Sequence, residues 1–338
     1  MRELLQEPLL VSAPVNVRYL TGFESTNAAI LVEPERVRLF TDFRYAERAR
    51  EVEGVEFEET KRYLYSDLAE RLSERVAFEA DALTYANYEF LREGGVELVP
   101  RRSLVESLRA VKQSEELEAI RRATELTNQA YERLAEEQFA GRTEKELAWR
   151  MEQLFHDLGA DALAFPVDVA AGPTAASPHA VPGDRVVEES DLVLVDAGAM
   201  LEGYCSDCTR TFAVGEVSDS LRDVYEIVRR AEQAGLEAIR PGVSGRDADV
   251  AARAVIEDAG YGENFGHGLG HGVGLLVHEA PVLRLESEDV LAAGNVVTVE
   301  PGIYLSGVGG IRIEDLVVVT EDGCEVLTSF PKELVSVG

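Results

Sequence analysis

DLVLVDAGAMLEGYCSDCTRT, Asp191 to Thr211, reads as a β-ribbon with an acid on each arm. Folded about a turn centred on Leu201-Glu202, it sets Asp196 opposite Asp207. Further along, VTVEPGIYLSGVGGIRIED, Val297 to Asp315, repeats the pattern. Folded about Gly307, it sets Glu300 opposite Glu314. Facing side chains on paired strands lie about 4.5–5.5 Å apart, and like charges at that range destabilise a sheet. Two such pairs, in equivalent places of two repeats, call for a shared counter-charge. A pair of divalent ions supplies it. Four carboxylates and one imidazole suit hard or borderline ions such as Mn²⁺, Co²⁺ or Zn²⁺. Two ions about 3.5–4 Å apart can bind a water between them, deprotonate it near neutral pH and polarise a carbonyl.

The imidazole comes from FGHGLGHGVGLLVHE, Phe265 to Glu279, which holds three of the five histidines: His267, His271 and His278. Glycine takes every second position from Gly266 to Gly274. A helix that would put His267 and His271 on one face is excluded, because each glycine costs roughly 1 kcal/mol there relative to alanine. No G-x-G-x-x-G register fits a dinucleotide loop either. An extended or looped segment remains, with GVGLLVHE strand-like, and bare backbone there lets something approach closely. His271, between Gly270 and Gly272, is placed to complete the metal shell. His267 and His278 are better placed to donate to a developing oxyanion. His156 sits in a helix and has no assigned role.

Around these motifs the chain changes style near Leu108. Before it, strands and helices alternate. AAILVEPERVRLFTD is a hairpin turning at Glu33–Arg36, FRYAERAREVEG a helix, VEFEET and RVAFEAD strands with a helix around DLAERLSE between them. YANYEFLREGG is a helix and VELVP a strand, which together make an α/β unit. After it, Ser114 caps a long helix and a Thr143-x-x-Glu146 capping box opens a second. Strands follow around FPVDVAAG and along the first ribbon. The order then repeats: helices from about Asp219 to Ile239 and from Ser244 to Gly260, then strands. Two helix pairs, each followed by strands, predict a pseudo-duplicated α+β domain over residues 112–338 behind an N-terminal domain over 1–111.

Composition narrows the partners. The 338 residues carry 63 acids against 33 bases, a net charge of -30, which argues against nucleic acid or an anionic membrane. Three cysteines, Cys205, Cys208 and Cys324, are too few for a disulfide framework and point to a reducing cytoplasm. Cys205 and Cys208 form a C-x-x-C within a strand-like run, where residues three apart face opposite sides, so we read them as buried small residues. MRELLQEPLL lacks the long apolar core of a signal peptide. No apolar run approaches the ~18 residues of a membrane span.

At these motifs the sequence resembles the pita-bread metallopeptidases, specifically the Xaa-Pro branch of aminopeptidase P and prolidase. The resemblance rests on VDAGAMLEGYCSDCTRTFAVG, FGHGLGHGVGLLVHEAP, TVEPGIY and GIRIED, with LRAVKQSEELEAIRRA similar to the interdomain linker helix. VRYLTGF and FTDFRYAERA resemble the smaller domain of the Xaa-Pro and creatinase branches. The resemblance implies five metal ligands: Asp207 and Glu314 bridging two ions, Asp196 on one, His271 and Glu300 on the other. It makes Glu300 the general base, His179 a substrate contact, and His267 and His278 the pair that steadies the scissile carbonyl. Arg312 would orient Glu314 or anchor the substrate. The implied protein is a cytoplasmic homodimer using two divalent ions, Mn²⁺ foremost. It would cleave the bond before proline in peptides or Xaa-Pro dipeptides through a metal-bridging hydroxide. Alternatives are a metal-independent creatinase-like C–N hydrolase and a non-catalytic member of the fold, both of which the intact ligand set disfavours. Many prolidase-like members carry an arginine directly after the proline of H-E-x-P. Here Val282 follows Pro281 and the nearest arginine is Arg284, which leaves room for peptides longer than two residues.

Overall fold

The computed structural model describes residues 7–72 and 75–338, which divide into two compact units, Met1–Arg109 and Ala110–Gly338. Residues 1–6, on which the reading of the N-terminus partly rests, lie outside the described residues, as do residues 73–74, the end of the helix expected around DLAERLSE.

The first unit runs β1 (Leu9–Val11), α1 (Pro14–Thr21), β2 (Ala28–Val32), β3 (Val37–Asp42), α2 (Ala46–Ala49), β4 (Glu56–Thr60), α3 (Leu64–Arg71), β5 (Arg75–Glu79), α4 (Tyr85–Glu93), β6 (Glu97–Arg101) and α5 (Leu104–Ala110). Its six strands form one sheet in the order β4-β3-β2-β1-β5-β6. The hairpin β2–β3 pairs Val32 with Val37 across the expected turn. The helix expected over FRYAERAREVEG shrinks to the single turn of α2. The Asp42 carboxylate accepts the backbone N–H of Arg44 at 3.0 Å and its guanidinium at 2.7–2.8 Å, and so holds the start of that segment in a turn.

The second unit begins with α6 (Ser114–Ala135) and α7 (Glu144–Leu158), then β7 (Ala162–Leu163), β8 (Asp168–Ala171), β9 (Leu192–Asp196), β10 (Ala199–Leu201), β11 (Tyr204–Cys205) and β12 (Thr209–Val214). It continues with α8 (Asp219–Ala238), α9 (Gly245–Asp258), β13 (Gly270–Gly272), β14 (Glu279–Leu283), β15 (Val296–Val299), β16 (Gly302–Leu305), β17 (Gly309–Arg312), β18 (Asp315–Val319), β19 (Cys324–Val326) and β20 (Ser336–Val337). The cap of α6 is Gln113 rather than Ser114, because the Glu116 carboxylate reaches back to the Gln113 N–H at 3.0 Å. The Thr143 and Glu146 capping box of α7 forms as its spacing predicts.

The duplication is visible in the packing. Helices α6 and α7 bury Tyr131, Leu134, Leu147, Met151 and Phe155 against β8, β9 and β12 of the sheet β20-β12-β9-β8. Helices α8 and α9 bury Leu236, Ala248 and Ala252 against β14, β15 and β18 of the sheet β14-β13-β15-β18-β19. Full burial of each large apolar side chain contributes roughly 1.5–3 kcal/mol, so these two cores hold the two sheets to their helix pairs. Tyr131 also places the site: its hydroxyl lies 3.0 Å from the Val195 carbonyl and 2.6 Å from that of Cys208, each next to an acid of the first ribbon.

The second ribbon has the expected register. Val299 pairs with Asp315 and Gly302 with Arg312, which continues to Glu300 opposite Glu314 about Gly307. The first ribbon is shifted. Its two-residue turn is Glu202-Gly203, both with positive φ (50° and 79°), not Leu201-Glu202. Such a turn matches strand twist and favours glycine at its second centre. The pairing therefore moves by two, and Asp196 faces Thr209 while Asp207 lies in the link between β11 and β12. The expected strand GVGLLVHE also gives way, since only Gly270–Gly272 is extended and its register breaks between His271 and Gly272.

Candidate metal centre

The glycines around His271 have a physical cause. A Cβ at Gly270 would sit 2.1 Å from the Thr298 carbonyl oxygen, and one at Gly272 would sit 2.3 Å from that of Ala280. What presses on this backbone is its two neighbouring strands. Packed between β14 and β15, β13 delivers His271 to the carboxylates.

Asp207, His271 and Glu314 each bring a ligand atom within 4.8 Å of the others. His271 Nε2 lies 3.7 Å from Asp207 Oδ2 and 3.2 Å from Glu300 Oε1. Thr298 fixes this pair: its hydroxyl accepts the His271 backbone N–H at 3.1 Å and donates to Glu300 Oε1 at 2.9 Å. Asp196 joins through Arg312, whose Nη2 stands 2.5 Å from Asp196 Oδ2. Arg312 Nε donates to the Thr209 hydroxyl at 3.0 Å, and Thr209 donates onward to Glu314 Oε2 at 2.7 Å. One directed chain thus links an acid of each ribbon.

A second chain leaves the same guanidinium. A guanidinium only donates, so Tyr304 Oη accepts from Arg312 Nη1 at 2.9 Å and gives its own proton to His267 Nε2 at 2.8 Å. The Nδ1–H of His267 then faces the Gly268 carbonyl at 2.8 Å. Both ring nitrogens of His267 are engaged, so donation to a substrate requires that ring to leave Tyr304. Burial lowers the pKa of His267, which agrees with a neutral ring. His278 is exposed, its ring centroid 4.3 Å from that of His271. His179 is exposed in the turn after a 3-10 segment, Gly172–Ala176, and its charge bears on both His267 and His278. The preceding carbonyl, of Pro178, accepts from Arg312 Nη1 at 3.3 Å.

Burial pushes Asp207 and Glu314 well above the ordinary carboxylate range, and the neighbouring acids add to it. Burial raises Asp196 to about 6 against the pull of Arg312. Glu300 alone goes the other way, to about 2: burial opposes its charge, but the hydrogen bond and charge of His271 outweigh it. His271 rises to about 9, because its bond to Glu300 outweighs the cost of burial. Four carboxylates share one guanidinium and one imidazole, and Asp196 Oδ1 is buried with no hydrogen-bond partner. An oxygen-rich set that is short of positive charge and holds an orphaned carboxylate oxygen fits hard divalent cations.

Tyr304, Thr209 and Thr298 were given no role in the sequence reading. The register could have found Tyr304: it pairs with Gly310, two residues from the Gly302–Arg312 pair, and so shares the face of Arg312. His156 is exposed in the last turn of α7, remote from these contacts. Cys205 and Cys208 are buried and form no disulfide, which agrees with their reading as buried small residues. Among the described residues, no helix is long and apolar enough to cross a membrane.

Comparison with known proteins agrees with this geometry. Residues 118–321 match metallopeptidase family M24 and residues 1–111 the creatinase/prolidase N-terminal domain. The Xaa-Pro dipeptidase of Pyrococcus furiosus is 36% identical over 331 residues, covering 96% of this chain and 94% of the relative. The solved structure of an Xaa-Pro dipeptidase from Bacillus anthracis is 39% identical with a TM-score of 0.94, covering 98% of this chain and 95% of that one. An X-Pro aminopeptidase structure from Thermotoga maritima is 35% identical with a TM-score of 0.90, covering 98% and 97%. The α/β unit followed by a duplicated α+β unit is therefore the creatinase-type N-terminal domain and pita-bread catalytic fold, and the chain belongs to metallopeptidase family M24.

Proposed function

We propose that this protein is an Xaa-Pro peptidase, cleaving the amide bond before proline with residues 112–338 as the catalytic domain and residues 1–111 as the N-terminal domain. The observation that carries the reading is the convergence of Asp207, His271 and Glu314, with Glu300 and Asp196 tied to them by His271 and Arg312. In this reading Asp196, Asp207, His271, Glu300 and Glu314 would together hold two divalent ions, Mn²⁺ foremost. Bound there, such ions supply the Lewis acidity that activates water and polarises the scissile carbonyl.

The side chains do the rest. Glu300, held ionised by His271, accepts the proton of the attacking water and returns it to the departing proline nitrogen. His278, exposed beside His271, offers an N–H to the oxygen that becomes negative when the carbonyl turns tetrahedral. Arg312 and Tyr304 hold Asp196 and His267 in place. His179 contacts the substrate from the loop that Arg312 ties down. The X-Pro amide is tertiary and lacks an N–H, so sites that grip a backbone N–H at that position fail on it. A site that works on the carbonyl and the leaving nitrogen needs no such grip. A cytoplasmic homodimer completes the proposal.

The test is thorough chelation, followed by assay of a fluorogenic Xaa-Pro peptide and restoration with Mn²⁺ or Co²⁺. Activity is expected to vanish and return, and activity that survives chelation overturns the reading.

A further inference from the structure

Asp168 has no part in the scheme above, yet the sheet aims it into the same site. It opens β8 and pairs directly with Asp196 across β8–β9. Direct cross-strand partners project from the same face, and Asp196 projects onto Arg312. Asp168 is partly buried. Among the described residues its carboxylate makes no hydrogen bond and no ion pair. The groups that bear on it are the Arg312 guanidinium and the His179 ring. Arg312 is already engaged by Asp196, Tyr304 and Thr209, and His179 is exposed. Asp168 is thus a carboxylate without a dedicated counter-charge on the wall of the site.

Its position in the sheet decides what it can reach. The strand order is β20-β12-β9-β8, so β8 is an edge. Asp168 lies one strand spacing, about 4.8 Å, beyond Asp196 and away from the β12 side that carries Thr209. An exopeptidase substrate has two groups on its first residue that can be cationic. The α-amino group is one carbon from the scissile carbonyl, which places it at the depth of Asp196 and its orphaned Oδ1. Only a side chain extends a further strand spacing outward. Lysine and arginine do so with apolar stems and a charged tip.

We propose that Asp168 selects a basic first residue, making Lys-Pro and Arg-Pro sequences the preferred substrates. The inference rests on the Xaa-Pro peptidase reading and names the substrate class of that same site. A hydrogen bond to a charged group, of the size usual for partly buried pairs, gives a preference of roughly ten- to a hundredfold in kcat/KM for Arg-Pro over Leu-Pro peptides, carried mostly by KM.

The experiment compares Arg-Pro, Lys-Pro, Leu-Pro and Glu-Pro fluorogenic peptides on the Mn²⁺-loaded protein, in the native chain and in Asp168→Asn, Asp168→Glu and Asp168→Arg. The expected result is a basic preference in the native chain that Asp168→Glu retains, Asp168→Asn levels and Asp168→Arg turns toward Glu-Pro. Cleavage of Leu-Pro with no basic preference overturns the selectivity alone. An equal loss on all four peptides in Asp168→Asn also overturns it, and assigns Asp168 to the α-amino group or to His179. Failure to cleave any Xaa-Pro peptide overturns the peptidase reading and the selectivity with it.

Discussion

Two clusters of buried charge lie back to back in the second unit. Behind the candidate site, Arg210 is 2% exposed and Asp315 is fully buried, with Nη2 and Oδ1 2.8 Å apart. Lys332 Nζ lies 3.0 Å from Asp315 Oδ2 and 3.1 Å from Glu232 Oε1. Arg210 also donates to the backbone carbonyls of Phe330 at 2.7 Å and Pro331 at 2.9 Å. Two cations meet two anions, so the charges match within the cluster, with Lys332 serving both carboxylates. On the other side of the same strands, Asp196, Asp207, Glu300 and Glu314 share Arg312 and one imidazole. Both clusters are buried and both are rich in carboxylates. Burial of acids alone therefore does not mark a site, but an unmatched sum of charge does, because a buried unpaired ion costs far more than a paired one.

The comparison breaks most sharply if Glu300 and its neighbours prove to be structural. Glu300→Gln is expected to lower kcat/KM on an Xaa-Pro peptide by about a thousandfold, the middle of the range for a general base. In the metal-free protein, Asp207→Asn is expected to raise the melting temperature, since it removes one of four like charges. A fall in metal-free stability for Asp207→Asn would mean that the acid cluster is balanced by contacts within the chain.

These contrasts explain which parts of the site could be read in advance. The second ribbon turns symmetrically about Gly307, so counting outward placed Glu300 opposite Glu314. In the first ribbon the same count failed, because the left-handed pair Glu202-Gly203 moves the centre by one residue. The acids still converge, since Asp207 sits in the irregular link and is free of the ladder. The glycines of the histidine segment signalled a close approach but not its source, because the Thr298 carbonyl comes from a later strand and that of Ala280 from a return whose register breaks at His271. Thr209 and Thr298 were illegible for a related reason: a hydroxyl in a strand says nothing until its partners are known. The helix pairs were the easiest part, with apolar spacing and the caps Thr143 and Ser244 agreeing, and only the cap of α6 one residue earlier than expected.

Arg210→Met tests the balanced cluster. It strands Asp315 and Glu232 in the interior with Lys332 as their only cation, and the usual cost of breaking a buried pair is about 3–5 kcal/mol. Urea unfolding of the metal-free protein should show a loss of that size. The two clusters are then distinguished by sign: deleting a charge in one destabilises the fold, while deleting a charge in the other stabilises the metal-free fold and removes activity.

A smaller effect sharpens the contact between the acids and the histidines. Tyr304→Phe deletes the hydroxyl between Arg312 and His267 and leaves the ring in place. One hydrogen bond to a charged group contributes about 1.5–3 kcal/mol, so a ten- to hundredfold fall in kcat/KM is expected where the rate depends on Arg312 and His267 being held in place. An unchanged rate means that His267 works without Tyr304, and that the second chain from Arg312 is structural in the manner of Arg210.

The smallest effect concerns Arg284. The arginine that many prolidase-like sequences carry just after H-E-x-P is replaced here by Val282, which pairs with His271 across β13–β14. Arg284 is the nearest substitute, but its side chain is 60% exposed, with Nε 4.0 Å from Glu286 Oε2. An exposed pair of this kind contributes about 0–1 kcal/mol, and a solvated guanidinium has little grip left for a substrate carboxylate. Arg284→Ala should therefore change kcat/KM on Xaa-Pro dipeptides and on Xaa-Pro-Yaa tripeptides by less than about threefold. The two substrates discriminate the outcomes. A rise in KM of tenfold or more on the dipeptide alone would show that Arg284 reaches into the site and clamps the free carboxylate, placing a cation beside the unmatched acids and narrowing the charge deficit that separates them from the balanced cluster behind.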